Sequence, residues 1–207
     1  SCTCSGQITP YAVAVPVDLA RPDAAHEVVA AAVAAFDRVD CLVNNAAIVR
    51  HRPLAAWAGD GFDEHLAVNV RSPFFLIQQA RPHLTGSGWG SVVNVSSSSG
   101  ALNLTGQSVY GMTKAALDYL TRSLAGELAG EGIRVNCVAP GPVDTPIHQT
   151  WADDLDAAYA WLARQVPLGR IGSTGDIVTM IMLLLSPLMS FVTGAVIPVD
   201  GGQVIRP

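Results

Sequence analysis

A serine, a tyrosine and a lysine are spaced for acid–base chemistry: Ser97, Tyr110 and Lys114. Tyr110 and Lys114 are four residues apart, so on a helix they share one face. An ammonium group beside a phenol favours the phenolate, which predicts a lowered pKa for Tyr110. Such a tyrosine can protonate a carbonyl oxygen or deprotonate an alcohol, and the Ser97 hydroxyl can hydrogen-bond the same oxygen. The alternative is a solvated helix face that carries Tyr110 and Lys114 beside an ordinary serine-rich turn.

The stretch 91–121 predicts the elements that would position these three residues. Its opening β-branched run, 92–95, indicates a short buried strand. Four serines and Gly100 end that strand, and a loop leads to a helix that begins near Ser108 and continues to about Ala129. A strand end and the first turn of the next helix can bring a hydroxyl, a phenol and an ammonium to one edge of a sheet. We therefore favour the catalytic interpretation.

The rest of the chain alternates between apolar strands and helices. Strands are predicted at 11–19, 40–44, 133–138 and 195–199, and helices at 22–36, 63–84, 151–165 and 174–185. Pro73 is expected to kink or break the longest helix. Apolar strands that alternate with helices are typical of a parallel sheet covered on both faces. The fold class is therefore a single α/β domain, a Rossmann-like doubly wound sheet, whose ligand site lies at the carboxyl ends of the strands.

Composition narrows the class of partner. The chain has 207 residues, 50% of them apolar and 14% charged, with a net charge of −5. These values favour one compact domain that acts on a small molecule, and they argue against nucleic acid. No apolar run approaches the ~18 residues that span a bilayer, so no membrane partner is expected. No secretory leader opens the chain, and a cytoplasmic protein is expected.

The four cysteines predict neither a disulfide nor a metal site. Cys41 and Cys137 lie in apolar strand-like runs and are interpreted as buried thiols, as expected in a reducing compartment. Cys2 and Cys4 have no second ligand pair nearby, which argues against a zinc site.

Several motifs together make the chain resemble the short-chain dehydrogenase/reductase family from about residue 11 to 202. The motifs match in order and spacing: Asn44-Asn45-Ala46-Ala47, Asn69, Ser97, Tyr110 with Lys114, and the segments 140–145, 193–194 and 199–202. Ala47 stands where the family usually has glycine. The spacing to Tyr110 selects Ser97 among the four serines.

The resemblance implies hydride transfer between NAD or NADP and a carbonyl or secondary alcohol, with the choice of cofactor left open. It implies that Tyr110 is the acid/base, that Ser97 holds the substrate oxygen, that Lys114 binds the nicotinamide ribose, and that Asn69 connects Lys114 to solvent through water. The cofactor residues it implies are Asp18, Leu19, Asn45, Ala46, Ala47, Tyr110, Lys114, Pro140, Gly141, Val143 and Thr145. Asp18 has the alternative of capping its own turn, and Asn69 of being satisfied within a helix.

One part of the family pattern does not occur in these residues. The glycine-rich turn Thr-Gly-x-x-x-Gly-x-Gly and the βαβ unit that carries it are not found, and residues 1–10 are irregular. In the family's strand order, 3-2-1-4-5-6-7, the strand at 11–19 would be separated from the strand at 40–44 by the two strands that are not found, and both would have exposed edges. Either residues are omitted from the sequence, or the protein is shortened and its sheet is re-paired or covered by a partner.

These observations leave two classes of function open. The first is an oxidoreductase that uses NAD or NADP, and the second is a non-catalytic relative that acts as a binding or scaffolding subunit. An epimerase-type relative is a third possibility that the 199–202 ending disfavours. The helices of 147–188 are expected to cover the substrate, whose identity is open. A homo-oligomer, a tetramer or a dimer, is implied by the resemblance.

Overall fold

The computed structural model describes residues 12–146, 152 and 154–205. In this part of the chain, four parallel strands form one sheet in the order β1-β2-β3-β4. The strands are β1 Cys41–Asn44, β2 Ser91–Val95, β3 Arg134–Pro140 and β4 Val196–Val199. The helices are α1 Ala24–Phe36, α2 Gly59–Leu66, α3 Ser72–Ser87, α4 Ser108–Leu128, α5 Leu155–Ala163 and α6 Thr174–Leu185. The α/β fold with a parallel sheet is confirmed.

Local sequence signals set the ends of several helices. The α6 helix begins with a capping box, in which Ser173 and Asp176 each bond the backbone N–H of the other. The α1 helix ends at Asp37, whose φ of 59° is left-handed, and α3 ends at Gly88, whose φ is 77°. Such signals explain why the bounds predicted for α6, 174–185, agree with the structure to the residue.

The sheet is covered by helices on both faces. One core packs α1, α3 and α4 against the face that carries Val92 and Val135. The other core packs α6 against the face that carries Val93 and Val138. Because successive side chains of a strand point to opposite faces, the apolar run of β2 supplies both cores.

The carboxyl ends of the strands lie along one edge of the sheet. Asn44 pairs with Asn94, Val95 with Val138, and Pro140 with Val199. The loops that follow β1, β2 and β3 therefore start from neighbouring points, as the doubly wound fold requires for a ligand site.

The long helix predicted at 63–84 is two helices. Between α2 and α3, residues Ala67–Arg71 form a π-helical turn, and the N–H of Ser72 bonds the carbonyl of Ala67. Pro73 occupies the first turn of α3, where a missing N–H costs little. The helical backbone is not interrupted at Pro73, and the irregularity predicted there takes the form of a wider turn just before the proline.

The strand predicted at 11–19 is not formed at residues 13–19, although Ala12 before them makes a β-bridge. Residues 13–18 have no regular structure and pair with no strand, and Val13 is 44% exposed. The alternating valines have the right composition for a strand. A strand also needs a neighbour that bonds its backbone, and the described residues place none beside it. The segment instead borders a cavity of about 310 Å³ that separates it from β1.

The helix predicted at 151–165 and the predictions for the cysteines involve residues that lie partly outside the described ranges. The helix predicted at 151–165 is found as Leu155–Ala163, and Trp151 lies outside the described residues. Cys2 and Cys4 also lie outside them. Cys41 and Cys137 are free thiols; Cys137 is buried as predicted, whereas Cys41 is only half-buried. No helix in the described ranges is long and apolar enough to cross a membrane, and these ranges contain no cluster of metal-ligating side chains.

Candidate active site

Ser97, Tyr110 and Lys114 meet at the carboxyl end of β2. Ser97 follows the strand directly, and Tyr110 and Lys114 lie in the first two turns of α4. The Ser97 hydroxyl lies close enough to the Tyr110 phenol to lower the pKa of that phenol. The Lys114 amine lies 5.6 Å from the centre of the Tyr110 ring. The helix spacing that the sequence predicts therefore places all three groups around one point.

Two glycines allow the serine loop to pack directly on α4. A Cβ at Gly111 would lie 2.7 Å from the Ser99 carbonyl oxygen, and a Cβ at Gly100 would lie 3.0 Å from the Ala115 nitrogen. The first distance is shorter than real Cβ contacts and the second is tighter than most of them, so the loop and the helix approach this closely because these side chains are absent. This contact fixes Ser97 relative to Tyr110.

The four serines of the loop differ in what their side chains contact. Ser97 is the one whose hydroxyl affects the pKa of Tyr110. The hydroxyls of the other three donate elsewhere: Ser96 to the Lys114 carbonyl at 3.1 Å, Ser98 to Gln203 Oε1 at 2.9 Å, and Ser99 to Gln107 Oε1 at 2.7 Å. Geometry and sequence spacing therefore select the same serine.

Lys114 is buried beneath the loop. Its amine donates a 2.8 Å hydrogen bond to the Val95 carbonyl, and the residue is 2% exposed. Burial disfavours the charged form and lowers the pKa of Lys114 to about 8. The lysine is therefore close to losing its proton in the mildly alkaline range, far below the value for an exposed lysine.

The pKa of Tyr110 moves opposite to the sequence-based expectation. Burial raises the pKa of Tyr110, and the neighbouring Ser97 hydroxyl lowers it by less. The Lys114 amine is committed to the Val95 carbonyl and lies against the ring face, so it does not offset the burial. The predicted lowering is wrong for this structure, because desolvation outweighs the charge of the lysine. Tyr110 is a protonated phenol at neutral pH.

Asn69 lies in the π-helical turn and is clamped by its side chain. Its amide accepts from the Ile48 N–H and donates to the Ile48 carbonyl, both at 2.9 Å, and donates to Thr113 Oγ1 at 3.1 Å. Asn69 thus ties the loop after β1 to α4 at the residue before Lys114. No direct hydrogen bond to Lys114 appears among the described contacts of Asn69.

The predicted cofactor residues near β1 border one cavity, apart from Asp18 and Ala47. Leu19, Asn45 and Ala46 line the cavity of about 310 Å³. Asp18 caps its own turn, since its carboxylate accepts from the Ala20 N–H at 2.9 Å, which is the alternative raised for it. Ala47 is half-buried in the loop after β1.

Two residues that line that cavity each carry a buried polar atom without a hydrogen-bond partner. Asn44 Oδ1 and Ser72 Oγ have no hydrogen-bond partner among the described residues, and both residues line the cavity. Buried polar groups are almost always satisfied. The cavity at the end of β1 is therefore suited to a ligand that offers hydrogen-bonding groups.

The other predicted cofactor residues follow β3. Pro140 ends the strand, and the Gly141 N–H bonds the Val199 carbonyl at 3.1 Å. A Cβ at Gly141 would lie 2.8 Å from Asp200 Cα, so the packing of β4 requires this glycine. Val143 is buried and pairs with Gly172. Thr145 Oγ1 donates to the Val143 carbonyl at 3.4 Å, a long hydrogen bond that leaves the hydroxyl available.

Sequence reasoning missed three residues that extend the site. Ser99, Gln107 and His51 continue a hydrogen-bonded path away from Ser97. Gln107 carried a usable signal, because it stands three residues before Tyr110 at the start of the same helix. His51 carried none, because the loop after β1 reaches Gln107 only in the folded chain.

A family model described as enoyl-(acyl carrier protein) reductase matches residues 5–203. A tropinone reductase homologue of Arabidopsis thaliana is 37% identical over 172 residues, which are 83% of this chain and 56% of that protein. The 3-oxoacyl-[acyl-carrier-protein] reductase FabG of Thermotoga maritima is 38% identical over 200 residues, which are 97% of this chain and 78% of FabG. The chain thus spans little more than half the length of the plant relative.

Solved structures agree with these sequence matches. The structure of ElxO with NADP bound superimposes with a TM-score of 0.84 at 30% identity, over 92% of this chain and 77% of that chain. The similarity therefore extends to the arrangement of the whole described sheet and its helices.

Proposed function

The chain belongs to the short-chain dehydrogenase/reductase family, and from this premise we propose that it is an oxidoreductase that uses NAD or NADP and acts on a carbonyl or secondary alcohol. The observation that carries the proposal is the meeting of Ser97, Tyr110 and Lys114 at the carboxyl edge of the sheet. The nicotinamide cofactor would supply or accept the hydride. The protein's own residues would place the substrate oxygen and move its proton.

The raised pKa of Tyr110 supports a role as the acid in carbonyl reduction. A protonated phenol at neutral pH can donate to the oxygen that gains negative charge. The Ser97 hydroxyl lies next to Tyr110 and can hydrogen-bond the same oxygen. A carbonyl carbon held over this pair would be reduced with its oxygen already paired to two donors.

Lys114 and Asn69 support the return of a proton to Tyr110. The pKa of Lys114, about 8, allows its amine to release and regain a proton near physiological pH. Thr113 connects α4 to Asn69, whose side chain is fully engaged. A connection from Lys114 to water would therefore use the backbone carbonyl of Asn69 and not its side-chain amide.

The residues present fit part of the cofactor. Asn44 and Ser72 line the cavity beside Asn45 and carry the unpartnered Oδ1 and Oγ, to which hydroxyls of a ribose bound there would offer hydrogen bonds. Lys114 would hold the ribose on the nicotinamide side. The segment after β3 would lie along the nicotinamide and its phosphates, with Pro140, Gly141, Val143 and Thr145. The described residues include no glycine-rich turn to seat the pyrophosphate, so we derive no contact for that group. The similar structure of ElxO holds bound NADP, which supports NAD or NADP as the cofactor of this chain.

The helices of 147–188 would cover the substrate. Tyr159 on α5 donates a 2.7 Å hydrogen bond to Asp144, which anchors that helix to the segment after β3. Trp161 is 51% exposed, so core packing does not account for it. An exposed aromatic on a helix over the site favours an apolar or ring-bearing substrate.

The non-catalytic alternative is not favoured. The relatives found by sequence are named reductases, and the residues proposed for proton transfer, Ser97, Tyr110 and Lys114, lie together.

We also propose a cytoplasmic homo-oligomer. The free thiols Cys41 and Cys137 agree with a reducing compartment, and the exposed side chains of Val178 and Met182 on α6 would suit a subunit interface. A monomer in light scattering would overturn the oligomer.

Replacement of Tyr110 by Phe tests the function. We expect turnover of NADH or NADPH with a panel of ketones to fall about 10²- to 10⁴-fold, because the general acid is lost. Tyr119→Phe is the matched control, since Tyr119 lies on the same helix and is 69% exposed. Equal turnover in the two variants, with equal thermal stability, would contradict the role of Tyr110.

A further inference from the structure

A chain of four hydrogen-bonded side chains runs from the site to the surface. Ser97 Oγ donates to Ser99 Oγ at 3.1 Å, and Ser99 Oγ donates to Gln107 Oε1 at 2.7 Å. Gln107 Nε2 lies 2.7 Å from His51 Nε2. Neither Lys114 nor Asn69 is a member of this chain of bonds.

Backbone contacts hold the members of this chain in place. The Ser99 N–H donates to Ser97 Oγ at 3.1 Å, and Ser99 is 8% exposed. The Arg52 N–H donates to the Gly106 carbonyl at 2.9 Å, which fixes the loop that carries His51 beside the residue before Gln107. The four side chains are therefore neighbours because two loops are joined by their backbones.

The chain has a direction, because each hydroxyl has one proton. Gln107 accepts from Ser99 at Oε1, so its Nε2 donates, and His51 accepts at Nε2. Ser99 donates its one hydroxyl proton to Gln107, so toward Ser97 it can only accept. In this arrangement the Ser97 proton points to Ser99 and away from the place of a substrate oxygen.

Reversal of the chain would release that proton. With an N–H on Nε2, His51 would donate to Gln107 Oε1, and the turned amide would donate to Ser99. Ser99 would then donate to Ser97, and the Ser97 proton would be free for the substrate oxygen. The two directions use the same heavy-atom positions, because an amide is nearly symmetric in shape.

We propose that Gln107 and His51 are positioning residues that set the direction of the Ser97 hydroxyl through this chain. The proposal deepens the proposed oxidoreductase function and rests on it. It assigns a role to the glutamine that precedes Tyr110 and to a histidine in the loop after β1.

Gln107→Glu tests the direction, because a carboxylate accepts only and holds the Ser97 proton turned away. We expect kcat to fall about tenfold with little change in KM, whereas Gln107→Leu, which leaves Ser99 free to turn, should lose less. The Ser97→Ala and Ser99→Ala backgrounds exclude a direct effect of the new charge. Gln107→Glu should add no further loss in either background, and an equal loss there would overturn the proposal.

A second readout does not depend on turnover. Nitrogen shifts of the His51 ring, assigned by their loss in His51→Gln, should show a proton on Nδ1 in the wild type and on Nε2 in Gln107→Glu. Unchanged ring shifts would overturn the proposal that Gln107 couples His51 to the Ser97 hydroxyl. A wild type that turns over no ketone would instead overturn the proposed function and this role with it, even if the ring shifts respond.

Discussion

The end of β2 and the outer edge of β1 differ in how completely their residues are partnered. At β2, Asn94 is fully buried and bonds Asn44 on one side and Thr121 on the other, at 2.8 and 2.9 Å. At β1, Val43 is 38% exposed, and the described residues place no strand on the outer side. Both strands are apolar in sequence, so composition does not separate them.

The difference follows from how far along the chain each region finds its partners. A single stretch from Ser91 to Leu128 supplies β2, the serine loop and α4, and the loop packs on the helix through two glycines. The outer edge of β1 faces residues 12–19 across a cavity of about 310 Å³. A locally encoded site keeps its geometry whether or not a more distant edge is paired.

The largest effect is expected from breaking the partnered region at Asn94. Asn94→Ala removes the acceptor of the buried Asn44 amide and the donor to Thr121 Oγ1, which keeps only its bond to the Leu117 carbonyl. We expect the free energy of unfolding to fall by about 4 kcal/mol. Val43→Thr, on the open edge, should change it by less than about 0.5 kcal/mol. Urea unfolding measures both variants. Equal losses would remove the distinction between the two regions.

The buried Lys114, in the partnered region, makes the free energy of unfolding depend on pH. Its pKa is about 8 in the folded chain, against 10.5 for a lysine in water. Between these values the unfolded chain holds more of this proton, so the contribution of Lys114 to stability rises with pH across that window. The wild type should gain up to about 3 kcal/mol over Lys114→Met from the lower to the upper value. A constant difference in urea unfolding would show that Lys114 is not desolvated.

A smaller effect is expected where the serine loop touches α4. Gly111→Ala would press on the Ser99 carbonyl, which a Cβ would approach to 2.7 Å. We expect a loss of about 2 kcal/mol in stability together with lower turnover, since Ser97 moves with the loop. Gly126→Ala is the matched control in the same helix, where nothing lies within 4 Å, and it should stabilise the chain slightly. Unchanged turnover in Gly111→Ala would mean that the contact does not position Ser97.

Sequence patterns gave the locally determined parts of this molecule. The helices α1, α4 and α6, the buried run of β2 and the spacing of Ser97, Tyr110 and Lys114 all follow from short-range signals. Each has its caps, turns or helical register within a few residues, so the prediction needed no distant partner.

Features that depend on distant partners were beyond those patterns. The valines of 13–18 look like a strand, but strand formation needs a neighbour that bonds the backbone. The direction of the Tyr110 pKa depends on burial, which spacing along a helix does not reveal. The path from Ser97 to His51 depends on two loops that meet only in the fold.

The most direct test of the central claim is cofactor binding by the wild-type chain. Its four tryptophans allow a fluorescence titration with NADH and, separately, with NADPH. The account predicts saturable binding of at least one of them, weakened in Lys114→Ala because the ribose loses its lysine. The absence of binding of either cofactor at millimolar concentration would contradict it.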